Sequence, residues 1–534
     1  MPSFDPPSIK PNAAPDFTDS SGCATWLQSL PLINIGSSHV RLLAQLDELN
    51  AYSIAPAERL KILELLRGPV SFVQKEYSKK FSSRPAPLAK PEREILDSVH
   101  ALWDALSYGY RHCLKAVAGG GSATNAALIG ERVLWCTGQR MLACYQAYQD
   151  VGEREWKVLH SVYAFVEDRG VAGGEVPHPT HKGKQTTCTE TYAQVLLVDL
   201  ANPGKLTPRQ IELISLWLER WTPKVSIGRA PAAAGEGVAP LAIDLSGAAG
   251  ASRRKPEGDT TRVLDIQELG SSVRKRVGLL RKGETPAALG LGEDVTAPLA
   301  ESLLTMLYRR WCEDKQSRAH PRHSSSGTAQ ICSGMAAVHY FVTGRVLSVR
   351  GGPQKISQVQ HEQIATLGRV VATLHEDEPS PTPDFAVETW RIMDESASGL
   401  RLARVDAAAS SRLMLGQLLG IRLSDAKAFL LCAVKWLSVS VEFELRAGVH
   451  ILPGIPQGAA IRAIGAPAAA EQYTPAFLLP AVAALQAPET LVVPAGWFKP
   501  NREIEVLTER TGKLRLASVV DRGADFERVT FEAL

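Results

Sequence analysis

The sequence predicts an α+β multidomain protein: an N-terminal all-α domain, an antiparallel β-barrel carrying an inserted helix, and a β-rich C-terminal extension. Three observations carry that expectation. From about Ala24 to Trp221 apolar residues recur every three or four positions, the period of helices that bury one face. After Trp221 the period gives way to short β-like segments separated by Gly-, Ala- and polar-rich loops. At 534 residues the chain is also too long for one hydrophobic core.

Taken in order, residues 1–22 are rich in Pro, Ser and Asp and read as a disordered tail without the apolar stretch of a signal peptide. Residues 23–222 form the helical domain, with amphipathic runs at Arg41–Leu49, Ala57–Phe72, Glu92–Cys113, Ala126–Gln149 and Glu153–Glu167. Pro56 and Pro91 stand at helix starts, where a missing N–H costs nothing. Gly119, Gly120 and Gly121 separate two helices, because a phosphate loop would need a preceding strand and a following Lys. Residues 171–189 form a turn-rich loop holding His178 and His181, with His160 just before it. No carboxylate or thiol stands at ligand spacing from these histidines, so no metal site is expected. Thr207 caps a further helix that starts at Pro208 and ends near Trp221.

Residues 223–314 read as a mixed connecting region: short strands at Lys224–Arg229 and Ala239–Leu245, then helices at Ile266–Arg281 and Thr296–Asp314. The run Pro240–Gly250 reads as a Gly/Ala hairpin loop, with a degenerate companion barrel as the alternative.

Composition narrows the function classes. With 59 basic and 56 acidic residues the charge nearly cancels, so no global field draws nucleic acid or an anionic membrane. Eight cysteines without a CxxC pair suggest reduced thiols and a cytoplasmic protein. No apolar run is long enough to insert in a membrane. No GxSxG, Walker loop, Cys/His pair or paired-carboxylate signature is present, and the expectation is that the protein is not an enzyme.

The informative segment reads Arg318-Ala319-His320-Pro321-Arg322, followed by β-like residues at Thr328–Cys332 and Val338–Thr343. Later, a strand ends at Asp394, a polar turn follows through Ser396 and Ser398, and a new strand begins near Gly399. Further strand-like runs occupy Gly416–Arg422, Ala428–Trp436 and Val441–Leu452. The two pieces, RxxxR and then DxSxxG, resemble the paired signature of PilZ domains; the resemblance covers roughly residues 315–460, and the expected barrel spans residues 315–465. The 72 residues from Arg322 to Asp394 exceed the usual spacing and imply an insertion at 345–388, including a helix at Ser357–His375 and an acidic linker at Glu376–Pro383. Residues 466–534 make the β-rich extension.

The resemblance implies a receptor for cyclic di-GMP, with Arg318, Arg322, Asp394, Ser396 and Gly399 at the ligand and Ser398, Arg401 and His320 as additional contacts. The residue types suit that ligand. Arg guanidinium forks onto guanine or phosphate and stacks on a base, and an Asp carboxylate accepts from the guanine N1 and N2 donors. A Gly permits close approach. No cofactor, metal or nucleic acid is expected, and the helical domain would carry the signal to a protein partner. The alternative is a non-enzymatic scaffold or chaperone-like adaptor with a vestigial barrel.

Overall fold

A computed structural model describes residues 6–121, 124–229, 240–254, 257–313, 323–347, 385–405, 411–464, 473–508 and 511–534. They divide into two compact units: Met1–Ala319 with Ser438–Phe443, and His320–Leu437 with Glu444–Leu534.

Among the described residues, the first unit begins with eight helices: α1 (Ser20–Gln28), α2 (Ile35–Ala51), α3 (Pro56–Ser78), α4 (Lys90–Ala118), α5 (Ala126–Gln146), α6 (Glu153–Asp168), α7 (Cys188–Leu200) and α8 (Pro208–Trp221). A short hairpin, β1 (Val176–Pro177) with β2 (Gln185–Thr186), lies between α6 and α7. Local chemistry sets the helix starts. Asp19 accepts from the Gly22 amide, Asn34 from Ser37 and Thr187 from Glu190, while Thr207 and Gln210 cap α8 reciprocally. Helix α4 ends at Ala118, before the glycines expected to break it.

Two expectations change here. Residues 6–19, read as part of a disordered tail, are tied to α2. The Lys10 amide donates to the Ala51 carbonyl, Asp16 N–H donates to Gln45, and Phe17 is buried. The low apolar content hid these contacts because most are made by backbone groups. Helix α7 was not distinguished from its surroundings because none of its sides is fully exposed and polar residues such as Thr191 are buried with apolar ones, so it lacks the two-faced period.

The connecting region folds with this unit. Strands β3 (Ser226–Gly228), β4 (Leu241–Asp244), β5 (Ser252–Arg253) and β6 (Thr261–Asp265) form a four-stranded sheet in the order β3-β6-β4-β5. Among the described residues this sheet is open, so the companion-barrel alternative is not what forms there. Its tight turn is an Asx type: Asp244 accepts from the Ser246 amide and hydroxyl and from Thr260. Helices α9 (Gln267–Arg281) and α10 (Ala297–Cys312) follow. One continuous apolar core runs from Phe17 to Trp311. The Trp217 indole donates to the Leu291 carbonyl and the Trp311 indole to that of Leu197, which fixes α8 and α10 within it.

The second unit starts with β7 (His323–Ser324), β8 (Thr328–Ser333) and helix α11 (Met335–Thr343). It continues with β9 (Glu388–Ser396), β10 (Gly399–Arg404), β11 (Leu418–Leu423), β12 (Leu430–Val439) and β13 (Leu445–Ile451). Strands pair in the order β10-β13-β12-β11-β8-β9, and β9 pairs back onto β10, so six strands close a barrel. Val338–Thr343, expected as a strand, lies in α11. A short apolar run is ambiguous between strand and helix, and Gly334 at φ 89° turns the chain out of β8 into the helix. The expected inserted helix at 357–375 and the acidic linker lie outside the described residues.

The C-terminal extension is a second closed barrel. Its strands are β14 (Gln457–Ala463), β15 (Thr474–Leu479), β16 (Thr490–Pro494), β17 (Glu503–Leu507), β18 (Thr511–Arg522) and β19 (Phe526–Ala533). They close in the order β14-β15-β16-β19-β18-β17. This barrel begins before residue 466, where the sequence placed the boundary, because β14 is read only with its partners β15 and β17. Leu418 and Leu431 of the first barrel share a core with Phe477, Val492 and Phe526 of the second. Among the described residues no helix is long and apolar enough to cross a membrane.

Candidate functional site

The DxSxxG motif forms the two-residue hairpin joining β9 to β10. Gly399 pairs with Ser396, and Arg401 lies directly opposite Asp394. The Ser396 hydroxyl donates to the Gly399 carbonyl at 3.1 Å, closing the turn. Across the other edge of β10, Gly399 pairs with His450 and Arg401 with Gly448. A Cβ on Gly399 would overlap the Val449 carbonyl, so the glycine is required by close approach of β13. The Ser398 carbonyl, at the tip, accepts from the Ile451 amide at 2.9 Å.

Asp394 and Arg401 form a loose ion pair at 3.8 Å, both side chains part-exposed. The Arg401 guanidinium also stands 5.9 Å from the centre of the Trp436 ring on β12. That indole lies over Gly448 so closely that a Cβ there would collide with it. Trp436 is half-buried, which leaves an aromatic surface next to a guanidinium and a carboxylate. Among the described residues, the solvent-shielded Arg401 Nε lacks a hydrogen-bond acceptor. His450, with its pKa lowered by burial and by Lys435, flanks the turn and bonds the Ser398 backbone.

Arg318, His320 and Arg322 lie outside the described residues. The next residues are placed, however. In β7, His323 pairs with Glu395 and Ser324 with Asp394. The chain leaving the arginine segment is therefore hydrogen-bonded beside the DxSxxG hairpin, although the motifs are 72 residues apart in sequence. Trp436 and His450 were not singled out as site residues from the sequence. The usable signal was a Trp on one strand with a Gly on its neighbour, a pairing in which the ring covers the bare backbone.

The chain thus has a six-stranded antiparallel barrel that bears DxSxxG on a hairpin paired with β7, the strand that follows RxxxR in the sequence, and it contains a PilZ domain. Comparison with known proteins agrees. A model for the cyclic-di-GMP receptor FimW N-terminal domain matches residues 21–232, one for its middle PilZ domain matches 251–349, and one for the FimW C-terminal beta-barrel domain matches 459–534. The middle match ends before β9, so it covers the arginine segment but not the DxSxxG hairpin. The chain is 25% identical over 525 residues to the cyclic-di-GMP receptor FimW of Pseudomonas aeruginosa, covering 90% of this chain and 85% of that protein.

Proposed function

We propose that this protein is a cyclic di-GMP receptor whose ligand is held between the Arg318–Arg322 segment and the β9–β10 hairpin. The observation that supports the reading is the pairing of His323 and Ser324 with Glu395 and Asp394, which sets the chain directly after the arginine motif beside the hairpin. In this reading Arg318 and Arg322 engage phosphate and guanine faces, and Asp394 accepts from a guanine Watson–Crick edge. The Ser396–Gly399 turn keeps the backbone close to the ligand, and His320 and Ser398 contribute at the rim. Arg401 and Trp436 offer a stacking surface, since base–aromatic stacking needs only an accessible ring face.

The ligand acts as an input rather than as a substrate. No cofactor or metal takes part in its recognition, and the protein neither makes nor breaks the dinucleotide. A cytoplasmic setting goes with this reading, because the messenger is an intracellular one. Output to a protein partner runs through the helical domain, which leaves Ile33, Val40 and Phe72 exposed. Binding neither nucleic acid nor a membrane is part of the proposal.

The deciding experiment is calorimetric titration of the purified protein with cyclic di-GMP, with GTP and cyclic di-AMP as controls. Saturable binding of cyclic di-GMP alone supports the receptor. Absence of binding, or equal binding of all three, removes it in favour of the scaffold reading.

A further inference from the structure

The loop between β1 and β2 brings two histidines, three residues apart, to a carboxylate that is 38 residues further along the chain. His178 follows β1, His181 lies in the loop, and Glu219 projects from the last turn of α8. One ligand atom of each lies within 4.8 Å of the other two. The two Nδ1 atoms are 3.2 Å apart, and His181 Nδ1 is 3.7 Å from Glu219 Oε2. For a tetrahedral ion with bonds of about 2.0–2.1 Å, neighbouring ligand atoms stand roughly 3.3–3.4 Å apart. The observed separations bracket that edge length.

We propose that His178, His181 and Glu219 form a binding site for a divalent transition-metal ion of the zinc type, with its remaining position open to water. Two imidazoles and one carboxylate are donors of intermediate softness, suited to Zn2+, Co2+ or Ni2+ and poorly suited to Mg2+ or Ca2+.

The loop is held in place before any ion arrives. The His178 amide donates to the Lys184 carbonyl and the Lys184 amide to the His181 carbonyl. Gly183 turns the chain at φ 78°. Arg132, itself fully buried, donates to the Pro177 carbonyl at 2.8 Å. All three ligand residues are part-exposed, so an ion can enter. The carboxylate of Glu219 stands on the His181 side of the pair, so the three donors converge on one point of the loop. Burial raises the Glu219 carboxyl, and Lys184, Arg220 and Lys75 face it. These cations, with Arg67 and Arg132 near His178, oppose a divalent ion and set a modest affinity. At present the His178 Nδ1 lone pair faces the amides of Thr180 and His181 at 3.2 Å, contacts that an ion on that nitrogen displaces.

The test uses the full-length protein, stripped with chelator and free of any affinity tag. Zn2+ titration should show one site, and Co2+ should give the intense visible absorption of a four-coordinate centre. Glu219→Gln and His181→Gln should each lower Zn2+ affinity at least tenfold and abolish the Co2+ band, with melting temperatures of the metal-free proteins near wild type. Cyclic di-GMP titration stays unchanged, so this outcome is independent of the receptor reading. Either of two results overturns the site: no stoichiometric Zn2+ binding, or binding that both variants leave intact. In either case the pair is a hydrogen-bonded histidine contact that holds the turn.

Discussion

Replacing Trp436 with Ala separates a ligand-stacking surface from a purely structural one. The indole lies over Gly448, beside Arg401, on the side of β10 that pairs with β13. If a guanine stacks there, its removal forfeits about 1–3 kcal/mol, which is roughly a 5- to 150-fold loss of affinity at about 1.4 kcal/mol per tenfold. Trp436→Phe keeps an aromatic face and should retain most of the binding. Gly448→Ala approaches the same surface from below: its Cβ overlaps the indole and forces it off the sheet. That variant should lose affinity in the same direction, with about 1–3 kcal/mol of stability lost to overpacking. Calorimetry on all three variants, with melting curves, distinguishes the causes. Affinity for cyclic di-GMP within twofold of wild type in a folded Trp436→Ala protein would refute the stacking role.

Three further outcomes follow. Arg318→Ala and Arg322→Ala should each weaken cyclic di-GMP binding by tenfold or more, because a charge-assisted bond contributes about 1.5–3 kcal/mol; two variants that bind like wild type would reduce the segment to a linker. Asp394→Ala should shrink the preference for guanine over inosine ligands, read as a ratio of two affinities, whereas an unchanged ratio would leave Asp394 a turn residue. Acid should destabilise the helical unit, because burial holds His39 down to about 4 and His100 to about 3, below the unfolded value of about 6.5. Between those values the unfolded chain binds protons that the folded one does not. Stability is therefore full above about pH 6.5 and falls as pH drops toward 4, by up to about 1.4 kcal/mol per pH unit for each histidine. Denaturant unfolding at pH 7.5, 5.5 and 4.5 measures this, and a flat profile would contradict it.

Much of the fold was legible because local chemistry and global packing agree. The runs at 57–72 and 92–113 are amphipathic and begin at prolines, and they lie within α3 and α4. Where burial is uniform the period vanishes, as in α7, and where an apolar run is short its state is decided by neighbours, as in α11. The hairpin at Asp394, Ser396 and Gly399 was legible because a tight turn and a close approach restrict residue type locally. Trp436 and Glu219 were not, since each acquires its chemistry from a strand or loop distant in sequence. The pairing of β7 with β9 is likewise invisible before the intervening chain is folded away.

The shared core of the two barrels has a consequence for how this half of the protein comes apart. The turn between β18 and β19 is pinned to the start of β11: the Ala524 amide donates to the Gly416 carbonyl and the Leu418 amide to Asp525, each at 2.8 Å. Phe526, at the end of that turn, is fully buried among residues of both barrels. Truncation near residue 456 would leave Leu418 and Leu431 facing water, so the PilZ domain is not an excisable cassette. It should melt together with the C-terminal barrel in a single transition. A cut near residue 459 would fall inside β14 and divide that shared core, and a fragment that ends there should be soluble only with its missing partner supplied in trans.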